Sequence, residues 1–286
     1  METKQLTANG LNIQCYCAGS GDTTIMLLHG GGVDSAMLSW REVIPLMAER
    51  GFRVIAPDLP GYGGSDRIKG DYSLPFYTET IKSLIEVLGC GPVVLCGLSL
   101  GGGITLKMAL EYPHLLRAII PVDALGLFEK LPWHRSMYWF VNSRFNRNLY
   151  GWAGKYRWLI RRSLEGGLFG DKSKVTDALL DEVLEAIRQP DSGEPFRSLQ
   201  MCELSKTGMV TPIFEGLAEI NLPTMIVQGS RDAAVPLKCA VEAQKRVRDA
   251  ELYMMEGCKH WPQKERPEEF VEAVADFLNK RFLTGQ

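Results

Sequence analysis

No run of about 18 apolar residues occurs anywhere in the 286 positions, so no segment reads as a membrane span. Met1 to Gly10 has no basic stretch followed by an apolar one, and no export signal is expected. Positive charge is not in excess: 32 Lys and Arg stand against 34 acids, which gives no electrostatic case for nucleic acid. The seven cysteines (Cys15, Cys17, Cys90, Cys96, Cys202, Cys239 and Cys258) are odd in number and lack the paired spacings of a zinc site. They read as free thiols in a reducing cytoplasm, and no metal or organic cofactor is expected. Histidine is scarce, with only His29, His114, His134 and His260 present.

What is present is an alternation of strand and helix signals. Short apolar or β-branched runs appear at Thr24 to Leu28, Arg53 to Ala56, Val93 to Cys96, Ala118 to Val122, Thr224 to Gln228 and Glu251 to Met255. Most are near-continuous apolar runs, as strands buried on both faces are. Lys4 to Cys17 reads as a leading antiparallel hairpin turning at Asn9-Gly10. Helical patterns separate the runs around Ser39 to Arg50, Thr78 to Leu88, Leu100 to Glu111 and Lys238 to Val247, with a last helix opening at Pro267. The pattern is that of a parallel sheet covered by helices, an α/β architecture. Between Ala124 and about Ile220 the strands stop, and helical patterns continue; Thr176 is placed to cap one that ends at Pro190.

Gly97-Leu98-Ser99-Leu100-Gly101 follows an apolar strand and opens a helix, which fits the Gly-x-Ser-x-Gly nucleophile elbow. A serine hydroxyl needs a base at neutral pH. His29 begins a glycine loop, His114 lies in the turn after the elbow helix, and His134 falls among the inserted helices. His260 alone sits beyond the final strand candidate, at the sheet end where the elbow opens. Asp232 follows the preceding strand and completes the order Ser, Asp, His; Asp123 is its competitor. His29-Gly30-Gly31-Gly32 follows the strand from Thr24 to Leu28 and can turn backbone N–H groups toward an oxyanion. The expected donors are the amides of Leu100 and Gly31, with Gly32 the lesser choice for the second. Asp58 to Ser65 reads as structural turn chemistry.

These elements together resemble the α/β-hydrolase superfamily over roughly Leu11 to Val122 and Leu222 to Phe282. The resemblance implies a mostly parallel eight-stranded sheet flanked by helices, with a core at 1–123 and 221–286 and an inserted helical cap at 124–220. Serine at position 99, rather than aspartate, argues against the haloalkane dehalogenase and epoxide hydrolase branches. Cys258-Lys259-His260-Trp261 resembles the histidine segment of meta-cleavage-product hydrolases, which cut carbon–carbon bonds, and Trp261 becomes a candidate substrate contact. Those enzymes typically carry Asn before the serine and Gly-Pro-Gly in the early loop. This chain has Leu98 and Gly32-Val33-Asp34.

From Glu129 to Leu164 the chain carries Lys130, Arg135, Arg144, Arg147, Lys155, Arg157, Arg161 and Arg162, interleaved with Trp133, Trp139, Trp152 and Trp158. One reading is an aromatic pocket with an inward arginine for an anionic group. The favoured one is a basic outer face over an aromatic core.

The resulting expectation is a cytoplasmic serine hydrolase cleaving a small-molecule ester through an acyl-enzyme, with activity falling at acid pH as the histidine protonates. Carbon–carbon hydrolysis is the alternative, and a ligand-binding protein without turnover is a third reading. A small-molecule substrate is the expected partner, and the sequence assigns no oligomeric state.

Overall fold

The computed structural model describes residues 1–130, 134–143, 146 and 151–282. Eight strands form one sheet in the order β1-β2-β4-β3-β5-β6-β7-β8. The hairpin consists of β1 (Glu2–Ala8) and β2 (Leu11–Ala18), joined through Asn9 and Gly10 at φ 51° and 73°. Positive φ at both central residues twists the turn to match its strands. β2 also pairs antiparallel with β4 (Arg53–Pro57), and every later pairing is parallel. The inner strands β3 (Thr24–Leu28), β5 (Val93–Leu98) and β7 (Thr224–Gly229) are buried at every position, in keeping with their near-continuous apolar patterns. β6 spans Leu116–Val122, and β8 (Ala250–Met255) is the half-buried edge.

The helix expected over Ser39 to Arg50 is two pieces, α1 (Ala36–Trp40) and α2 (Val43–Glu49). Arg41 and Glu42 keep helical dihedrals between them. Pro45 has no N–H to donate to the Arg41 carbonyl, so the ladder breaks while the backbone barely turns. The helix expected from Thr78 begins earlier, as α3 (Leu74–Leu88): Ser73 accepts the Phe76 N–H as N-cap, and Gly89 ends it at φ 56°. The elbow helix α4 is Leu100–Glu111. Helices cover both faces of the sheet, with Trp40, Phe270 and Phe277 in one apolar layer and Leu84, Ile104 and Leu106 in the other.

Between β6 and β7 only helices, turns and an isolated bridge occur among the described residues, including α5 (His134–Val141) and α6 (Arg157–Ser163). α7 (Asp177–Arg188) is capped by Thr176, whose hydroxyl accepts the Leu179 N–H. Its buried stripe of Leu179, Leu180, Val183, Leu184 and Ile187 joins one of the two apolar layers. Trp139 and Trp158 take no part in an aromatic core, being 68% and 64% exposed. Trp133, Arg144 and Arg147 lie outside the described residues. No described helix is long and apolar enough to cross a membrane.

Candidate active site

The chain reverses sharply between β5 and α4, and Ser99 sits at the reversal with φ 50° and ψ −106°. That backbone costs about 1–3 kcal/mol for a residue with a Cβ and persists only where the surroundings over-determine it. Here the Ser99 N–H donates to the Val122 carbonyl at 2.9 Å, and the Ser99 carbonyl accepts from Gly103 and Leu125, both at 2.9 Å. The flanking glycines are sterically required. A Cβ on Gly97 would lie 2.1 Å from the Gly101 carbonyl oxygen, and one on Gly101 would lie 2.4 Å from that of Leu28. Leu100 is the first residue of α4, so its N–H has no acceptor within the helix and lies at the positive end of the dipole.

Two further loops converge at the same end of the sheet. Asp232 follows β7, and His260 follows β8. His260 Nδ1 lies 2.7 Å from Asp232 Oδ2, while Asp232 Oδ1 accepts the Ala234 N–H at 2.7 Å. A carboxylate on Nδ1 fixes the tautomer with its proton there, which leaves Nε2 as an acceptor. The Arg231 N–H donates to the Cys258 carbonyl at 2.9 Å and ties the two loops together. Ser99 and His260 line one cavity of about 610 Å³, whose other walls include Trp152, Ile160, Leu164 and Trp261.

Trp261 is buried, donates its backbone N–H to the Leu168 carbonyl at 3.1 Å, and meets Phe169 edge-on. Lys259 reaches back to the carbonyls of Glu165 and Gly166 at 2.8 and 2.9 Å. The histidine loop is thereby fastened to the π-helical turn Leu164–Leu168.

The other histidines have different surroundings. His29 is fully buried and bridges two backbone groups, with Nδ1 to the Gly30 carbonyl at 2.8 Å and Nε2 accepting the Leu59 N–H at 2.9 Å. Burial pulls its pKa down to about 4, and it stays neutral as a brace for the glycine loop. His134 bonds the Ser205 carbonyl at 2.8 Å, and His114 lies in the 3₁₀ turn after α4. Asp58 fastens turns: it accepts N–H bonds from Ala36 and Gly64 at 2.8 and 2.9 Å.

The sequence reading missed Asp34. Its Oδ2 accepts the Gly30 N–H at 2.8 Å and the Ser39 hydroxyl at 2.7 Å, while Oδ1 accepts the Ser35 N–H at 2.7 Å. It therefore holds the His29–Gly30 peptide, one residue ahead of Gly31. Gly31 itself faces Phe196, whose ring would lie 2.5 Å from an added Cβ. The available signal was an aspartate four residues beyond Gly30 in a glycine loop, a spacing suited to side-chain bonds to local N–H groups.

Burial pushes the Asp34 carboxyl up to about 7 against the pull of those hydrogen bonds. Between the ordinary carboxylate value and 7 the folded chain holds a proton that the unfolded chain has released, so stability falls as pH rises through this window. Relative to wild type, Asp34→Asn should gain on the order of 3 kcal/mol between pH 5 and pH 8. Urea unfolding at the two pH values measures this, and an unchanged difference would refute it. His29 acts with the opposite sign, losing stability as pH falls from 6.5 toward 4, but it is common to both proteins and cancels.

Two of the basic residues of the insertion are engaged with acids elsewhere. Arg157 pairs with Asp177 and Asp181, and Arg161 bonds Asp177 at 2.7 Å and the Val175 carbonyl at 2.8 Å. Among the described residues no lysine or arginine lines the cavity.

The sequence profile of the Alpha/beta hydrolase family matches residues 25–273. The chain is 33% identical over 273 residues to a 2-hydroxy-6-oxo-6-phenylhexa-2,4-dienoate hydrolase of Comamonas testosteroni, covering 92% of this chain and 90% of that one. A solved meta-cleavage product hydrolase from Pseudomonas fluorescens IP01 superposes with a TM-score of 0.81 at 26% identity, covering 97% and 98% of the two chains. A thermophilic esterase from Thermogutta terrifontis superposes with a TM-score of 0.79 at 21% identity, covering 98% and 99%, and shares the fold. With its eight-stranded sheet and its serine elbow, the chain belongs to the α/β-hydrolase family.

Proposed function

We propose that this α/β-hydrolase cleaves small, uncharged esters with an apolar acyl group through an acyl-enzyme. The observation that carries the choice is the cavity shared by Ser99 and His260, whose described walls are mostly apolar and hold no lysine or arginine. A substrate carboxylate left there without a partner would cost several kcal/mol. An apolar acyl chain displaces water at a gain of roughly 25 cal/mol for each Å² buried.

His260 Nε2 takes the Ser99 proton as the serine oxygen attacks the carbonyl carbon. Asp232 keeps the imidazole in its tautomer and stabilises the imidazolium. The amides of Leu100 and Gly31 donate to the oxyanion. His260 then passes its proton to the leaving alcohol, and a water activated by the same nitrogen releases the acid and restores Ser99. In this reading residues 124–220 form a cap: Trp152, Ile160 and Leu164 close the cavity over the serine, and Trp261 packs against the bound acyl group. The enzyme works as a cytoplasmic protein on a small-molecule substrate.

Carbon–carbon hydrolysis is the second reading, favoured by the relatives named for dienoate hydrolysis. It uses the same serine and histidine on a substrate that carries a carboxylate. The buried Leu98 before the serine and the cavity's apolar walls weigh against it.

Measuring p-nitrophenyl butyrate beside a vinylogous diketone dienoate separates the two. The ester is expected to show a kcat/KM at least about 100-fold higher, close to 3 kcal/mol of transition-state discrimination. A higher value on the dienoate would replace the ester reading with the second one.

A further inference from the structure

One buried ionisable group beside the site has no part in that mechanism. Asp123 follows β6, is fully buried and holds φ at 42°, in the region that favours glycine. Its N–H donates to the Val227 carbonyl at 3.0 Å, and its Oδ1 accepts the Gly229 N–H at 2.9 Å. Neighbouring backbone on β7 therefore fixes the side chain. Carboxyl oxygens of Asp123 and Asp232 and a ring nitrogen of His260 all lie within 4.8 Å of one another.

Two sealed carboxyl groups at this spacing cannot both carry charge. Asp232 has its two oxygens committed to donors, the His260 ring and the Ala234 N–H. Asp123 has one committed oxygen; no N–H or O–H among the described residues donates to its buried Oδ2. An oxygen that carries the proton itself is left in that condition. Burial and then the Asp232 charge push Asp123 well above the usual carboxylate range.

We propose that Asp123 is a neutral acid whose Oδ2–H donates to Asp232, positioning it for His260, and that Asp123 becomes the carboxylate of the site when Asp232 loses its charge. This rests on the reading of Ser99, Asp232 and His260 given above. In wild type the donated proton orients Asp232 and spreads its charge. Without the Asp232 side chain the charge repulsion on Asp123 is gone, and the space it leaves admits water that lessens the larger effect of burial. Its proton passes to water, and the resulting carboxylate faces the imidazole across a gap of at most 4.8 Å. It then stabilises the imidazolium formed when Nε2 takes the serine proton.

The test is a double-mutant cycle in kcat/KM on p-nitrophenyl butyrate, using Asp123→Asn, Asp232→Ala and the combination. Asparagine keeps the acceptor for Gly229 and a donor toward Asp232, tolerates positive φ, and cannot ionise. Alone it is expected to lower kcat/KM less than about fivefold, because it imitates the protonated acid. Asp232→Ala should cost about 100- to 1,000-fold, and adding Asp123→Asn to it should cost a further tenfold or more beyond its effect in wild type.

A purely structural role for Asp123 would make the two effects multiply independently. That result, or a loss above about 30-fold from Asp123→Asn alone at unchanged Tm, overturns the proposal. Should the Asn variant not fold, Asp123→Gly removes the same acid while suiting the positive φ, and the same cycle is read with it. Failure of the underlying reading looks different: Asp232→Ala would leave kcat/KM unchanged, and the wild-type serine would resist fluorophosphonate.

Discussion

Replacing Ser99 with alanine is expected to abolish fluorophosphonate labelling and to lower kcat/KM on an ester by about ten-thousand- to a million-fold. The change removes one oxygen. The backbone bonds that hold position 99, from its N–H to Val122 and from Gly103 and Leu125 to its carbonyl, survive it. Alanine has the same Cβ and bears the positive φ no worse than serine, so Tm should move by less than about 2 °C. Intact protein mass spectrometry after labelling, and a progress curve on p-nitrophenyl butyrate, read the two effects separately. A variant that kept turnover would remove Ser99 from the mechanism. A wild-type protein inert to both probes would instead point to a ligand-binding protein on this fold.

The residues that carry this prediction were legible because their signals are local. Gly97-Leu98-Ser99-Leu100-Gly101 encodes its own turn: the glycines are demanded by backbone atoms within 2.1 to 2.4 Å of a Cβ, and such demands leave a short motif in the chain. The all-buried strands β3, β5 and β7 announce themselves in the same way. His260 was picked out by its place beyond the last strand candidate, and Asp232 by the chain order Ser, Asp, His.

What failed to show depends on contacts made across the fold. The split between α1 and α2 comes from one missing N–H at Pro45, which a hydrophobic stripe does not register. The bonding of Arg157 and Arg161 to Asp177 sets a basic run on one helix against the first turn of another. Sequence shows the bases and not their partners. Asp34 looks like any loop aspartate until Gly30, Ser35 and Ser39 are seen to close around it. Asp123 and Asp232 were read as competitors for one role, and the structure places them side by side with only Asp232 bonded to His260.

The elbow gives the second large expectation: Gly97→Ala should destabilise the protein by about 3 kcal/mol or more and lower kcat/KM at least 100-fold, by an order-of-magnitude estimate. The added methyl would meet the Gly101 carbonyl oxygen at 2.1 Å and the Gly102 nitrogen at 2.7 Å. Both are backbone atoms of the first turn of α4, so no side chain can swing aside to relieve the clash. The helix start must move away from β5, and Ser99 and the Leu100 amide move with it.

Gly166→Ala is the matched control, because a methyl there meets nothing within 4 Å and φ is not positive. It should leave both quantities within a small margin of wild type. Thermal unfolding followed by circular dichroism, with ester kinetics on the folded fraction, distinguishes two causes of lost activity. If activity falls only in proportion to the unfolded fraction, glycine at 97 serves stability alone. If the folded variant is itself slow, the close approach of strand and helix is what aims the serine oxygen at His260. Full activity in a stable Gly97→Ala protein would mean that the strained turn is not the source of Ser99 reactivity, and the mechanism would have to begin from another group.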